Sequence, residues 1–174
     1  MNTPNKLTVL RLILTVVFTI VFYLEMAAGK TTFLISTIIF CVASFTDFLD
    51  GYLARRDNLV TDFGKFMDPL ADKVLVAAAM IMLVEIGYMP GWMAILIISR
   101  EYAITILRAI AASSGKVLAA SKNGKLKTVT QMLGIIMLLL NIPYGIVVMF
   151  IATILTFYSG FEYIYLNRHL LSNM

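Results

Sequence analysis

The sequence predicts an all-α integral membrane protein: six transmembrane helices behind a short N-terminal juxtamembrane segment, with both termini cytoplasmic. Three observations carry that prediction. The chain is 60% hydrophobic and only 14% charged, with a mean hydropathy of +0.90, whereas a soluble domain is nearer half apolar and a quarter charged. A globule of 174 residues cannot bury that much apolar surface, so the surplus faces lipid. The apolar runs approach the roughly 20 residues that a spanning helix needs and are too long for barrel strands. Finally, lysine and arginine fall almost entirely on one side of the resulting topology.

The spans follow in order. Residues 10–28 form the first, after the polar MNTPNK. Lys6 and Arg11 ahead of an apolar run, with Ala27-Ala28-Gly29 behind it, imitate a cleaved leader. Apolar spans fill the rest of the chain, however, so this segment is expected to be retained as a helix. The second span covers residues 32–55, the third 65–86 and the fourth 92–112. The fifth, 128–141, is the shortest, with a start that could lie nearer Leu126, and the sixth covers 144–166. Gly29, GYMPG (87–91), SSGK (113–116) and NIPYG (141–145) supply the turns. The Ala/Ser/Gly/Lys-rich stretch 111–127 reads as a longer loop. Residues 1–174 are expected to form one domain.

With the N-terminus cytoplasmic, six crossings return the C-terminus to the same side. Thirteen of the 14 lysines and arginines, all but Lys30, then lie in the cytoplasm, as the positive-inside rule requires. Cys41, the single cysteine, cannot form an internal disulfide, and His169 reads as a solvated tail residue. No nucleic-acid partner is expected.

Against this background, DFLDGYLARRDNLVTDFGKFMDPLADK (47–73) holds six of the ten acidic residues. At about 100° per residue, Asp47, Asp50, Gly51, Ala54 and Arg55 share one helical face, and Gly64, Asp68 and Asp72 form a second stripe. A helical hairpin would turn the two faces toward each other. A carboxylate deep in a membrane helix costs about 2.5–3.5 kcal/mol on insertion scales, and bunched carboxylates disfavour one another's ionisation. Protonation or a bound cation relieves this. Hard divalent ions such as Mg²⁺ take carboxylate oxygens, and four carboxylates suit a pair of ions of the kind used in displacement at phosphorus. Gly51, Ala54 and Gly64 clear space on the carboxylate faces, and Arg55 offers a fork for phosphate oxygens. Together they point to a diphosphate ligand. Small residues in membrane helices also serve as packing contacts, while Asp57 reads as a solvated turn residue and Asp62 as a helix cap.

Residues 47–72 read D-x2-D-G-x2-A-R-x8-G-x3-D-x3-D. This resembles the signature of the CDP-alcohol phosphatidyltransferases, with every fixed position present. The six spans and the polar N-terminal segment are also similar to that family's fold. The resemblance implies that Asp47, Asp50, Asp68 and Asp72 ligate two divalent cations, Mg²⁺ or Mn²⁺, and that Asp72 also serves as general base. It implies that Gly51, Ala54, Arg55, Thr61 and Gly64 border the CDP moiety. In PNKLTVLR (4–11), it implies that Asn5 and Thr8 approach the nucleotide; Pro4 suits helix initiation there as well. The implied reaction is attack of an acceptor hydroxyl on CDP-diacylglycerol, drawn from the surrounding membrane lipids, with loss of CMP. A homodimer is implied too.

The signature leaves the acceptor open. Arg100 and Arg108 lie eight residues apart, about 80° around a helix, and can share a face. A helix body in a membrane is an expensive place for lone arginines. Glu101 can pair with one, and an anionic acceptor would neutralise the other. Loop lysines 116 and 122 need no more than topology and contact with anionic lipid to explain them. ISREYAITILR with SKNGKLKT resembles the glycerol-3-phosphate-accepting branch of the family. Arg100, Arg108, Lys125 and Lys127 are therefore candidates to hold the acceptor phosphate, with Arg11 a weaker one. Serine or an inositol phosphate is the alternative acceptor within the family. Outside it, a prenyltransferase would need more than six helices and fits the Gly-x2-Ala-Arg interval badly. A divalent-cation or proton transporter would place its acidic residues near the bilayer midplane, whereas these lie at one end of their helices.

Overall fold

A computed structural model describes residues 3–57, 62–113 and 122–171, with side chains for 8–46, 70–71, 73–112 and 124–168. Among the described residues the secondary structure is wholly helical: α1 Thr3–Ala27, α2 Leu34–Asp57, α3 Asp62–Glu85, α4 Gly91–Ser113, α5 Lys122–Leu139 and α6 Gly145–Leu171. All six expected helices are present. Their ends differ from the apolar runs because the helical backbone continues into polar sequence. α1 takes in PNKLTVLR, with Pro4 in the first turn where its missing N–H costs nothing. α5 takes in the lysine-rich KNGKLKT before its apolar part.

Two compact units result. The first comprises Met1–Gly87 with Leu139–Ile142, the second Tyr88–Leu138 with Pro143–Met174. In the first unit α1 packs against both α2 and α3, and α2 against α3. Thr8, Arg11, Thr15, Phe18, Phe22 and Glu25 are buried along one stripe of α1 with a spacing of three and four, while Ile13, Val16, Ile20 and Leu24 are exposed on the other side. This inverts the polarity of a soluble amphipathic helix, which turns its charges outward. An exterior of this kind belongs in lipid. Phe22 stacks on Phe33 with ring centroids 4.3 Å apart, and Phe18 meets Phe40 at 6.2 Å, fixing the α1–α2 hairpin.

The hairpin is closed by a carboxylate. Glu25, 3% exposed, accepts hydrogen bonds from the N–H groups of Ile35 (3.2 Å) and Ser36 (3.0 Å) and from the Ser36 hydroxyl (2.7 Å). Those N–H groups belong to the first turn of α2, which has no intrahelical acceptor for them, and a negative charge there also suits the helix dipole. Lys30 reaches the same carboxylate at 3.4 Å. Glu25→Ala leaves the two N–H groups unsatisfied at about 1–3 kcal/mol each. A lowered thermal unfolding midpoint in detergent is expected, with a smaller fall for Glu25→Gln, which keeps an acceptor oxygen. An unchanged midpoint for Glu25→Ala would refute the capping role.

In the second unit α4 packs against α6, and Trp92 meets Phe150 edge-on at 6.3 Å. The α5–α6 turn needs positive φ at Asn141 (52°) and Tyr144 (68°). Beyond the turn the two backbones come close. A Cβ on Gly134 would lie 2.6 Å from Met149 Sδ and 3.2 Å from its backbone nitrogen. α6 repeats the polarity of α1: Thr153, Thr156 and Ser159 are buried, and Phe150, Ile154, Phe161 and Ile164 are exposed.

Thr8–Ala27 and Gly145–Arg168 are each long and apolar enough to cross a membrane, and Leu34–Thr46 is a shorter apolar stretch. Elsewhere, Arg100, Glu101 and Arg108 divide the apolar run of α4, while α2 ends on charged residues and α3 and α5 begin on them.

Candidate functional site

The sequence-predicted residues divide between the two units. In the first, α2 runs without a break from Leu34 to Asp57 and α3 from Asp62 to Glu85. Asp47, Asp50, Gly51, Ala54 and Arg55 therefore occupy positions i, i+3, i+4, i+7 and i+8 of α2, within about 140° of arc at 100° per residue. Gly64, Asp68 and Asp72 occupy one stripe of α3 within about 80° by the same geometry. Both helices belong to the unit that contains α1, whose first turns carry Asn5 and Thr8. Thr61 lies outside the described residues, as do the side chains of Asn5, Asp47, Asp50, Gly51, Ala54, Arg55, Gly64, Asp68 and Asp72. Thr8 is fully buried, and Arg11, one turn further along the stripe, is 1% exposed. The Arg11 carbonyl accepts the Thr15 hydroxyl at 2.9 Å.

The second unit carries the basic candidates, and here side chains are described. Glu101 Oε1 accepts a hydrogen bond from Arg100 Nη1 at 3.0 Å and another from Lys127 Nζ. The expected Glu101–arginine pair is thus made with Arg100, and Lys127 joins it from α5. Arg100 also donates through Nη2 to Ser159 Oγ at 3.0 Å, and its chain lies across Gly160, where a Cβ would come within 3.3 Å of Arg100 Cγ and Nε. Arg108 donates through Nε to the Tyr163 hydroxyl at 3.3 Å, with its guanidinium carbon 5.3 Å from that ring's centroid. Lys125 is exposed.

Sequence reasoning missed the α6 partners Ser159, Gly160 and Tyr163. Their signal was present: polar or small residues recur at positions 156, 159, 160, 163 and 167 of an otherwise apolar span, the spacing of one helical face.

The sequence profile of the family described as CDP-alcohol phosphatidyltransferase matches residues 1–158. A CDP-diacylglycerol–glycerol-3-phosphate 3-phosphatidyltransferase of Bacillus subtilis is 44% identical over 93% of each chain. Proteins of the same description from Salmonella paratyphi A and Escherichia coli K12 are 43% and 42% identical, covering 94% of this chain and 93% of theirs.

Proposed function

This chain belongs to the CDP-alcohol phosphatidyltransferase family, and on that footing we propose that it transfers a phosphatidyl group from CDP-diacylglycerol to glycerol-3-phosphate, giving phosphatidylglycerophosphate and CMP. The observation that carries this reading is identity of 42–44% with enzymes so described, over nearly the whole chain. The complete motif D-x2-D-G-x2-A-R-x8-G-x3-D-x3-D supports it.

The donor set fits a divalent-metal centre. Asp47 and Asp50 are spaced i, i+3 on α2, and Asp68 and Asp72 i, i+4 on α3; all four offer the hard oxygen ligands that Mg²⁺ or Mn²⁺ prefers. These four would hold two such ions. When bound, the ions supply Lewis-acid polarisation of the phosphoryl oxygens.

The chain's own residues do the rest. Asp72 takes the proton of the acceptor hydroxyl. The hydroxyl oxygen forms a bond to the phosphorus that carries diacylglycerol, the bond from that phosphorus to the CMP oxygen breaks, and CMP leaves with the electron pair. Arg55 forks onto the diphosphate oxygens, and Gly51, Ala54 and Gly64 leave room for the nucleotide against the backbone. Asn5, Thr8 and Thr61 contact its remaining polar edge. Arg100, Arg108, Lys125 and Lys127 serve the acceptor phosphate.

The whole chain acts as one membrane domain of six crossings in a bacterial cell membrane, with both termini and the active site at the cytoplasmic face. Thirteen of 14 basic residues on that side, all but Lys30, support this topology. The lipid substrate enters sideways from the bilayer, and the exposed apolar faces of α1 and α6 are met by lipid or by a second copy in a homodimer. Incubating the purified protein with CDP-diacylglycerol and glycerol-3-phosphate, serine or an inositol phosphate tests the acceptor. CMP release stimulated by glycerol-3-phosphate alone is expected; stimulation by another alcohol instead overturns the assignment.

A further inference from the structure

We infer that Glu101 is a positioning residue for the acceptor phosphate, holding the Lys127 ammonium on the face of α4 that also carries Arg108. The inference rests on the reading that Lys127 belongs to the phosphate-binding set.

A lysine on α5 has a long, flexible stem, and ordering its ammonium costs rotamer entropy. Lys127 is nonetheless held, its side chain only 4% exposed, on a carboxylate that is 21% exposed. Burial of an ammonium is tolerated where a counter-charge and hydrogen bonds replace water, and Glu101 supplies both. The carboxylate is itself held. The same oxygen receives Arg100 Nη1, and Arg100 is fastened to α6 by Ser159, whose hydroxyl in turn donates a hydrogen bond to the Thr156 carbonyl at 3.2 Å. Bare Gly160 lets the arginine chain lie against α6. The order of dependence therefore runs from α6 through Arg100 and Glu101 to Lys127. Besides its own proposed place at the phosphate, Arg100 braces Glu101, and Lys127 is the group that Glu101 places.

The placement has a direction. Arg108 follows Glu101 by seven residues, about 340° around the helix and about 10.5 Å along it. It therefore lies on the same stripe of α4, steadied by Tyr163 of α6. Without the carboxylate, Lys127 would be one more cation beside Arg100 and repelled by it. With it, the α5 lysine is held at Glu101, on the stripe of α4 that also carries Arg108.

Steady-state CMP release by the purified protein in CDP-diacylglycerol micelles tests this. Glu101→Gln is expected to raise the KM for glycerol-3-phosphate by on the order of 10-fold while leaving the KM for CDP-diacylglycerol within about twofold. In a Lys127→Met background the same Glu101→Gln change is expected to add less than about twofold, since coupled residues are not additive. A parallel rise in both KM values, or an undiminished Glu101→Gln effect without Lys127, overturns the proposal and leaves Glu101 a purely structural pair. If Lys127→Met by itself leaves the glycerol-3-phosphate KM unchanged, the phosphate-binding reading of Lys127 fails first and the proposal fails with it. Should Glu101→Gln not fold, Glu101→Asp carries the test. Its shorter carboxylate cannot span both cations, and a glycerol-3-phosphate KM that stays at the wild-type value, or that rises only together with the lipid KM, overturns the proposal in that variant.

Discussion

Asp72→Asn is expected to lower turnover by about 10²–10⁴-fold, the range attributed to a positioned general base, while binding of CDP-diacylglycerol is retained. The amide has the size of the carboxylate and keeps an oxygen that can face a cation, but it cannot accept the hydroxyl proton of glycerol-3-phosphate. α3 is helical through this region, so Asp68 and Asp72 stand one turn apart on one stripe and the substitution leaves the backbone register alone. The contrast with Asp68→Asn is informative. Asp68 is proposed as a ligand only, so its loss should weaken metal binding and nucleotide-lipid binding together, whereas Asp72→Asn should separate binding from turnover. The measurement is CMP release at saturating glycerol-3-phosphate, set beside the KM for CDP-diacylglycerol. Near-normal turnover in Asp72→Asn removes Asp72 as base and moves the proton to another acceptor.

The acidic motif and the basic network differ in how far the sequence alone exposes them, and the reason is sequence separation. Asp47 and Asp50, or Asp68 and Asp72, are neighbours through helical periodicity, so a face can be drawn from the spacing before any tertiary contact is known. The six helices were legible in the same way, from local apolar runs. What escaped was long-range. Lys127 reaches Glu101 across 26 residues, Arg108 reaches Tyr163 across 55 and Arg100 reaches Ser159 across 59; periodicity marks the polar face of α6 but does not say which residue each member meets. Glu25 escaped for another reason. It sits near the end of an apolar run, and a carboxylate there reads as a solvated end until the first turn of α2 is seen to need an acceptor. Helix ends were the least legible feature. The apolar run of the fifth span begins near Thr128, yet α5 begins at Lys122, because lysine and leucine are good helix formers whatever their polarity.

Removal of divalent metal is expected to abolish activity reversibly. As proposed, Asp47, Asp50, Asp68 and Asp72 would form an unfavourable concentration of like charge, and in the proposed topology they would stand at the membrane surface, where water screens them only in part. Paired cations neutralise that charge and turn the repulsion into a binding site. Excess EDTA should therefore silence CMP release, and Mg²⁺ or Mn²⁺ should restore it. The same ions should also raise the thermal unfolding midpoint without any substrate present, because a ligand at 100 times its Kd stabilises the folded state by about 2.7 kcal/mol. That second readout separates a metal centre in the protein from a metal carried in by the diphosphate of the lipid. Asp47→Asn and Asp68→Asn should each shrink the substrate-free shift, and Arg108→Ala should leave it intact, since Arg108 is proposed for the acceptor's phosphate and not as a metal ligand. Turnover that persists in excess EDTA, or a midpoint that does not respond to Mg²⁺ or Mn²⁺ in the wild-type protein, would mean that the four aspartates are relieved by protonation instead, and that the displacement at phosphorus proceeds by the side chains alone.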